Sequence, residues 1–211
     1  MGLSALQAMI SRLWLRNNQA TLTGDPPRRN LDNNDPLQLP VLVARAMTQF
    51  HIAAAVPGDI GDILRMIRAL AEYEHLAHLC VATEAELARH LFGTPARAEV
   101  LLGRENGVPV CFALFFHNFS TFLAKPGLYL EDLFVAPECR RRGYGRAMLV
   151  RLAGLAVERD CGRFEWSVLD WNEPAIRFYQ SLGATVLPDW RITRVTGSAL
   201  KALAEGAVAG G

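Results

Sequence analysis

The sequence predicts an α/β domain: a mixed, largely antiparallel central sheet flanked by helices. Three observations predict it. Two runs rich in Val and Phe, Ala98 to Arg104 and Val108 to Asn118, flank Glu105-Asn106-Gly107, a hairpin turn signal. A third run, Leu128 to Val135, passes through an arginine–glycine loop into a long helical pattern. Strand and helix patterns follow in the order β-α-α-β-β-β-α-β-α-β, an antiparallel front beside a βαβ unit.

Each element has its own signal. Phe50 to Val56 reads as a short strand, ended by Pro57-Gly58-Asp59. Ile60, Ile63, Leu64, Ile67 and Ala71 line one face of a helix over 59–73. Thr83-Glu84-Ala85-Glu86 has capping-box spacing, with Leu87 and Leu91 following on one face of a second helix. Pro137 breaks the strand that ends at Val135. After the loop, Ala147, Met148, Leu149, Leu152, Leu155 and Ala156 make a long helix. Phe164 to Leu169 reads as a strand. Asn172-Glu173-Pro174 opens a helix with Pro near its first position, and Gly183 closes it. Trp190 to Val195 alternates like a final strand.

Composition bounds the function. Of 211 residues, 51% are hydrophobic and 20% charged, which suits a folded globular chain. Lys plus Arg number 22 and Asp plus Glu 21, for a net charge of +1. Net charge therefore gives no prior for nucleic-acid or anionic-membrane binding, and neither is expected as a partner. The apolar run Val110 to Phe116 falls far short of the ~20 residues of a membrane span. Cys80, Cys111, Cys139 and Cys161 show no CxxC pair, and His75, His78, His90 and His117 have no metal-ligand spacing. Reduced thiols, a cytoplasmic location and no metal are the expectation. Residues 1–46 stand apart: a helical apolar start without acids, then a segment rich in Asn, Asp, Pro and Arg. A targeting segment, an interaction arm and sequence upstream of the mature protein remain open readings. The folded domain is expected over 47–205, followed by a frayed tail over 206–211.

Chemistry begins at Arg140-Arg141-Arg142-Gly143-Tyr144-Gly145. A glycine loop between strand and helix turns backbone amides inward beside the positive helix end, a cradle for pyrophosphate. Gly145 is followed by Arg146, so the Lys-Ser/Thr of a Walker loop is missing, and GxGxxG is absent. Taken alone, the arginines are equally well read as a solvated basic patch.

Longer motifs are more specific. Tyr129-Leu-Glu-Asp-Leu-Phe-Val135, the Arg140-x-x-Gly-x-Gly145 loop, Asn172-Glu-Pro-Ala-Ile-Arg-Phe-Tyr179 and Gly183-Ala184 resemble the GNAT family of acyl-CoA-dependent N-acetyltransferases. The resemblance covers roughly Phe50 to Ala204. It is nearest the diamine and thialysine branch, which Glu72-Tyr73-Glu74 also resembles. His75, Leu76, Ala77 and His78 follow where that branch has more acids, which weakens the case for a polycationic substrate.

The resemblance implies acetyl-CoA as co-substrate, a primary amine of a small molecule (polyamine or thialysine-like) as acceptor, and a homodimer. It implies that the strand ending at Phe134-Val135 splays and binds pantetheine through its backbone. It assigns the pyrophosphate to the amides of Arg140, Arg141, Arg142, Gly143, Tyr144, Gly145 and Arg146, with charge from one or more of the arginines. Asn172 is implied to touch the coenzyme, and it is equally a good N-cap. Glu131 takes the family's role of base acting through water, and Tyr179 that of proton donor to the leaving thiolate. An alkylamine with pKa ~10.4 is about one part in 2,500 neutral at pH 7, a cost of ~4.6 kcal/mol, so a proton acceptor is needed. Glu74 and Asp132 are candidates for gripping the ammonium, and Trp190 for shaping its pocket. Adjacent strand residues face opposite ways, so only one of Glu131 and Asp132 is expected over the substrate face. A protein N-acetyltransferase and a non-catalytic acyl-CoA-binding module are the alternatives.

Overall fold

The computed structural model describes residues 49–206. The expected extension over 1–46 and residues 207–211 of the tail lie outside them. Five strands form one sheet in sequential order: β1 (Phe50–Ala54), β2 (Glu99–Glu105), β3 (Val108–Ser120), β4 (Lys125–Val135) and β5 (Arg163–Trp166). The first four pair antiparallel and β5 joins β4 in parallel. Five helices accompany them: α1 (Ile60–Tyr73), α2 (Glu84–Phe92), α3 (Tyr144–Glu158), α4 (Glu173–Ser181) and α5 (Gly197–Ala204).

Local chemistry accounts for the boundaries. Asn106 and Gly107 form the two-residue β2–β3 turn with φ of 52° and 84°, the left-handed pair that matches strand twist. The Thr83 hydroxyl accepts the Glu86 amide at 3.3 Å and caps α2. The reciprocal half of the expected capping box is not made, because the Glu86 carboxylate pairs with Arg89 at 2.6 Å.

The sheet buries both faces. Leu101, Cys111, Ala113, Phe115, Leu128 and Leu130 pack with Met148, Leu149, Leu152 and Leu155 of α3. On the other face, Val100, Leu102, Phe112 and Phe134 pack with Ile63 and Met66 of α1 and Leu91 of α2. Alternate residues of β2 and β3 feed the two cores, as period two requires.

Strand β4 breaks that alternation. Leu114 pairs with Asp132 and Phe115 with Leu130, so Glu131 is an extra residue, a β-bulge. Leu128 and Leu130 face α3, yet Phe134, which unbroken alternation would put on the same face, packs against α1. The strand thus changes sides across Glu131. The second irregularity is at β5, which pairs only from Gly127↔Arg163 to Leu130↔Trp166. Beyond Leu130, β4 runs on to Val135 with no β5 partner, and this shortens the expected strand over Phe164 to Leu169.

The expected final strand, Trp190 to Val195, does not form: the segment has no regular structure and leads into α5. Alternation describes a face, but a strand also needs a neighbouring strand for its backbone groups, and among the described residues none pairs with this segment. Among the described residues, no helix is long and apolar enough to cross a membrane.

Candidate active site

The loop after β4 is held from below. A 3-10 turn, Pro137–Cys139, leads into Arg140. Tyr144, the first residue of α3, stacks its ring on Phe50 with centroids 4.0 Å apart and 6° between planes. Its hydroxyl donates to Glu105 Oε1 at 2.9 Å, and Arg142 Nη1 donates to both Glu105 oxygens at 2.9 and 3.1 Å. Arg142 Nη2 also donates to the Glu138 carbonyl at 3.1 Å. The side chains of Arg142 and Tyr144, expected among the coenzyme contacts, are therefore committed to the scaffold, and only their amides remain for a phosphate. No spacing in the sequence marks Glu105 as their anchor. Glu105→Ala strands a buried phenol and a guanidinium, and is expected to lower unfolding free energy by about 1–3 kcal/mol in urea denaturation.

Above that anchor the loop is open. Gly143 sits at φ 85°, where an L side chain is strained, and no side chain caps α3. A Cβ on Gly143 would meet nothing within 4 Å. A Cβ on Gly145 would meet only Val135 and Phe178 at ordinary contact distance. Uncapped amides, a positive helix end and free space fit a pyrophosphate. Arg141, at φ 62°, and Arg146 are exposed, and the described residues hold no side-chain partner for either. Arg140 is differently placed. Its Nε donates to the Val135 carbonyl at 3.1 Å, and its guanidinium lies 4.4 Å from the Tyr73 ring centroid and 5.8 Å from that of Phe134. It ties the end of α1 to the splayed end of β4 through cation–π contact.

The carboxylates gather beside this splay. Leu130 and Leu133 pack toward the α3 core, so Glu131 and Asp132 between them both face α1. The expectation that only one could do so fails because the bulge suspends alternation. Glu131 is exposed and Asp132 half-buried. Burial pushes the Asp132 carboxyl up to about 6, with the charges of Glu131 and Glu74 adding to the rise. Glu74, just past α1, is itself raised by burial.

Tyr179 approaches from α4. The Asn172 side-chain oxygen accepts the Ala175 amide at 3.4 Å and caps that helix, so its capping role is present. The Tyr179 ring meets Trp166 edge-on at 5.1 Å. Burial raises its pKa, and the charges of Glu74 and Tyr73 raise it further, so Glu74 is within electrostatic reach of both Asp132 and Tyr179. The phenol stays protonated across the neutral range. Trp190 is brought to none of these groups. It is 78% exposed, and the tryptophan near Tyr73 and His75 is Trp171, at centroid distances of 6.2 and 6.4 Å. Among the described residues no cluster of His, Cys, Asp and Glu is suited to a metal.

A strand that parts from its neighbour, beside a bare helix start and a cluster of carboxylates, is the arrangement that acyl transfer from a coenzyme A thioester to an amine asks of a protein. Comparison with known proteins agrees. The Acetyltransferase (GNAT) family profile matches residues 63–184. An L-ornithine N5-acetyltransferase of Arabidopsis thaliana is 36% identical over 72% of this chain and 87% of its own length. A thialysine N-epsilon-acetyltransferase of Sus scrofa is 35% identical over 75% and 99%. Among solved structures, an integron cassette protein from the mobile metagenome of V. cholerae superposes with a TM-score of 0.64 at 26% identity, covering 74% of this chain and 98% of that one. The chain belongs to the GNAT acetyltransferase family and is an acyl-CoA-dependent N-acetyltransferase.

Proposed function

We propose that the chain transfers the acetyl group of acetyl-CoA to a primary amine of a small cationic molecule, a diamine or a diamino acid. The observation that carries this reading is the meeting of Glu74, Glu131 and Asp132 on one face beside the β4 splay. Their charges favour an ammonium group where its nitrogen would meet the thioester. The relatives' names support the same class. The backbone of Phe134 and Val135 would hold pantetheine, the amides from Arg140 to Arg146 the pyrophosphate, with Arg141 and Arg146 adding charge and Asn172 contacting the coenzyme. Tyr179 donates a hydrogen bond to the departing sulfur. A thiol pKa near ~8.5 lies below that of a phenol near ~10, so that bond, rather than complete proton transfer, is its minimum contribution.

Thiol release measured with acetyl-CoA and a panel of ornithine, thialysine, lysine, putrescine and spermidine tests the reading. Acetylation of one or more free amines is expected. Turnover on peptide amines alone would replace it with protein acetylation, and coenzyme binding without turnover on any amine would replace it with a non-catalytic module.

Residues 47–205 are proposed to carry the activity as a homodimer in the cytoplasm. The four cysteines are unpaired, which suits a reducing compartment. Leu187, Trp190 and Ile192 are all at least 60% exposed, and β5 is an open sheet edge, which suits self-association. A chain beginning at Met47 is expected to sediment as a dimer and to release thiol at the full-length rate. A monomer, or loss of activity, would refute the assignment.

A further inference from the structure

We propose that Asp132, rather than Glu131, takes the proton from the incoming ammonium group. The inference rests on the small-amine reading above and goes beyond it by moving the base one residue along β4.

The bulge carries the argument. It leaves Glu131 as the unpaired residue, exposed to solvent, while Asp132 returns to the ladder opposite Leu114. Leu114 packs against the α1-side core, so the β3 neighbour of Asp132 is apolar. The charge of Glu74, just past α1, reaches it, as does that of Glu131 on its own strand, and Glu74 also reaches Tyr179 of α4. The cation at this end of β4, Arg140, is engaged with Tyr73 and the Val135 carbonyl. Asp132 thus has two acidic neighbours and no ion-pair partner among the described residues, and its carboxyl is pushed up to about 6. A base works best with a pKa near the working pH. Glu131, at the solvent edge, is placed to attract the cation.

The protons balance. Asp132 accepts one from R–NH3+, leaving the nitrogen lone pair free to form the N–C bond. As the C–S bond breaks, the second N–H proton is transferred to sulfur, with Tyr179 hydrogen-bonding the thiolate. Asp132 then releases its proton to solvent.

The test is a pH profile of kcat/KM at saturating acetyl-CoA, on whichever panel amine is acetylated. The wild type is expected to lose activity as pH falls through about 6. Asp132→Asn should lower kcat by roughly 10²–10⁴-fold and remove that limb. Glu131→Gln should act mainly on KM and leave the limb in place. Glu74→Gln should shift the limb to lower pH, because one charge opposing ionisation of Asp132 is gone.

Thermal melts add a reading independent of turnover. Asp132 ionises less readily folded than unfolded, so its cost to stability is absent below pH ~4, grows up to about 6 and is complete above it. Asp132→Asn should therefore melt no lower than the wild type at pH 8. An Asp132→Asn kcat within tenfold of the wild type, or a limb that disappears in Glu131→Gln instead, overturns the proposal. If no amine on the panel is acetylated, the small-amine reading fails, and an Asp132→Asn variant that melts below the wild type at pH 8 overturns the raised Asp132 acid as well.

Discussion

Tyr179→Phe is expected to lower kcat by roughly 10²–10⁴-fold, with acetyl-CoA affinity and melting temperature nearly unchanged. The substitution removes one hydroxyl and no ring contact. The ring's edge-on meeting with Trp166 at 5.1 Å and its packing beside Phe178 at 5.5 Å both survive. What disappears is a phenolic donor within electrostatic reach of Glu74. Burial and the nearby Glu74 charge hold that phenol in its protonated form, so it is available to sulfur throughout the neutral range. If the residue only packs, the opposite result follows: normal turnover with a small change in stability. Steady-state kinetics beside a thermal melt separates the two, and a kcat within about threefold of the wild type would sink the donor role, provided that product release does not limit turnover.

Gly145→Asp is expected to abolish measurable acetyl-CoA binding while leaving the fold intact or firmer. A Cβ at this position meets Val135 Cγ2 at 3.7 Å and the Phe178 ring at 3.9 Å, which is ordinary contact. Gly145 is the second residue of α3, where a carboxylate complements the helix dipole and is worth about 0.3–1 kcal/mol. The same carboxylate enters the space in which the coenzyme pyrophosphate would lie. One like-charge pair at 4 Å opposes binding by about 4 kcal/mol near a protein surface, about a thousandfold in affinity. Stability and binding are thus driven in opposite directions by one atom group. Calorimetric titration with acetyl-CoA, paired with a melt, reads both, and unchanged affinity in a folded variant would displace the coenzyme from this loop.

Local signals were legible in the sequence because each acts within a few residues. The Asn106-Gly107 turn, the Thr83 cap, the Asn172 cap, the apolar face of α1 and the glycine helix start all rest on contacts that close inside one turn or one hairpin. The motifs around Glu131, Gly143, Asn172 and Tyr179 carried the family from the residues alone. What the tertiary structure decided depends on partners far along the chain. Glu105 claims Arg142 and Tyr144 across the sheet, 37 and 39 residues away, and no spacing rule announces it. The bulge at Glu131 is a mismatch between β3 and β4, invisible in either strand alone, and it turns two neighbouring acids toward α1. Pairing with β5 stops at Leu130, which opens the splay. Trp190 to Val195 has the alternation of a strand and is not one, because period two is written in the chain whereas hydrogen-bond partners are supplied by the fold.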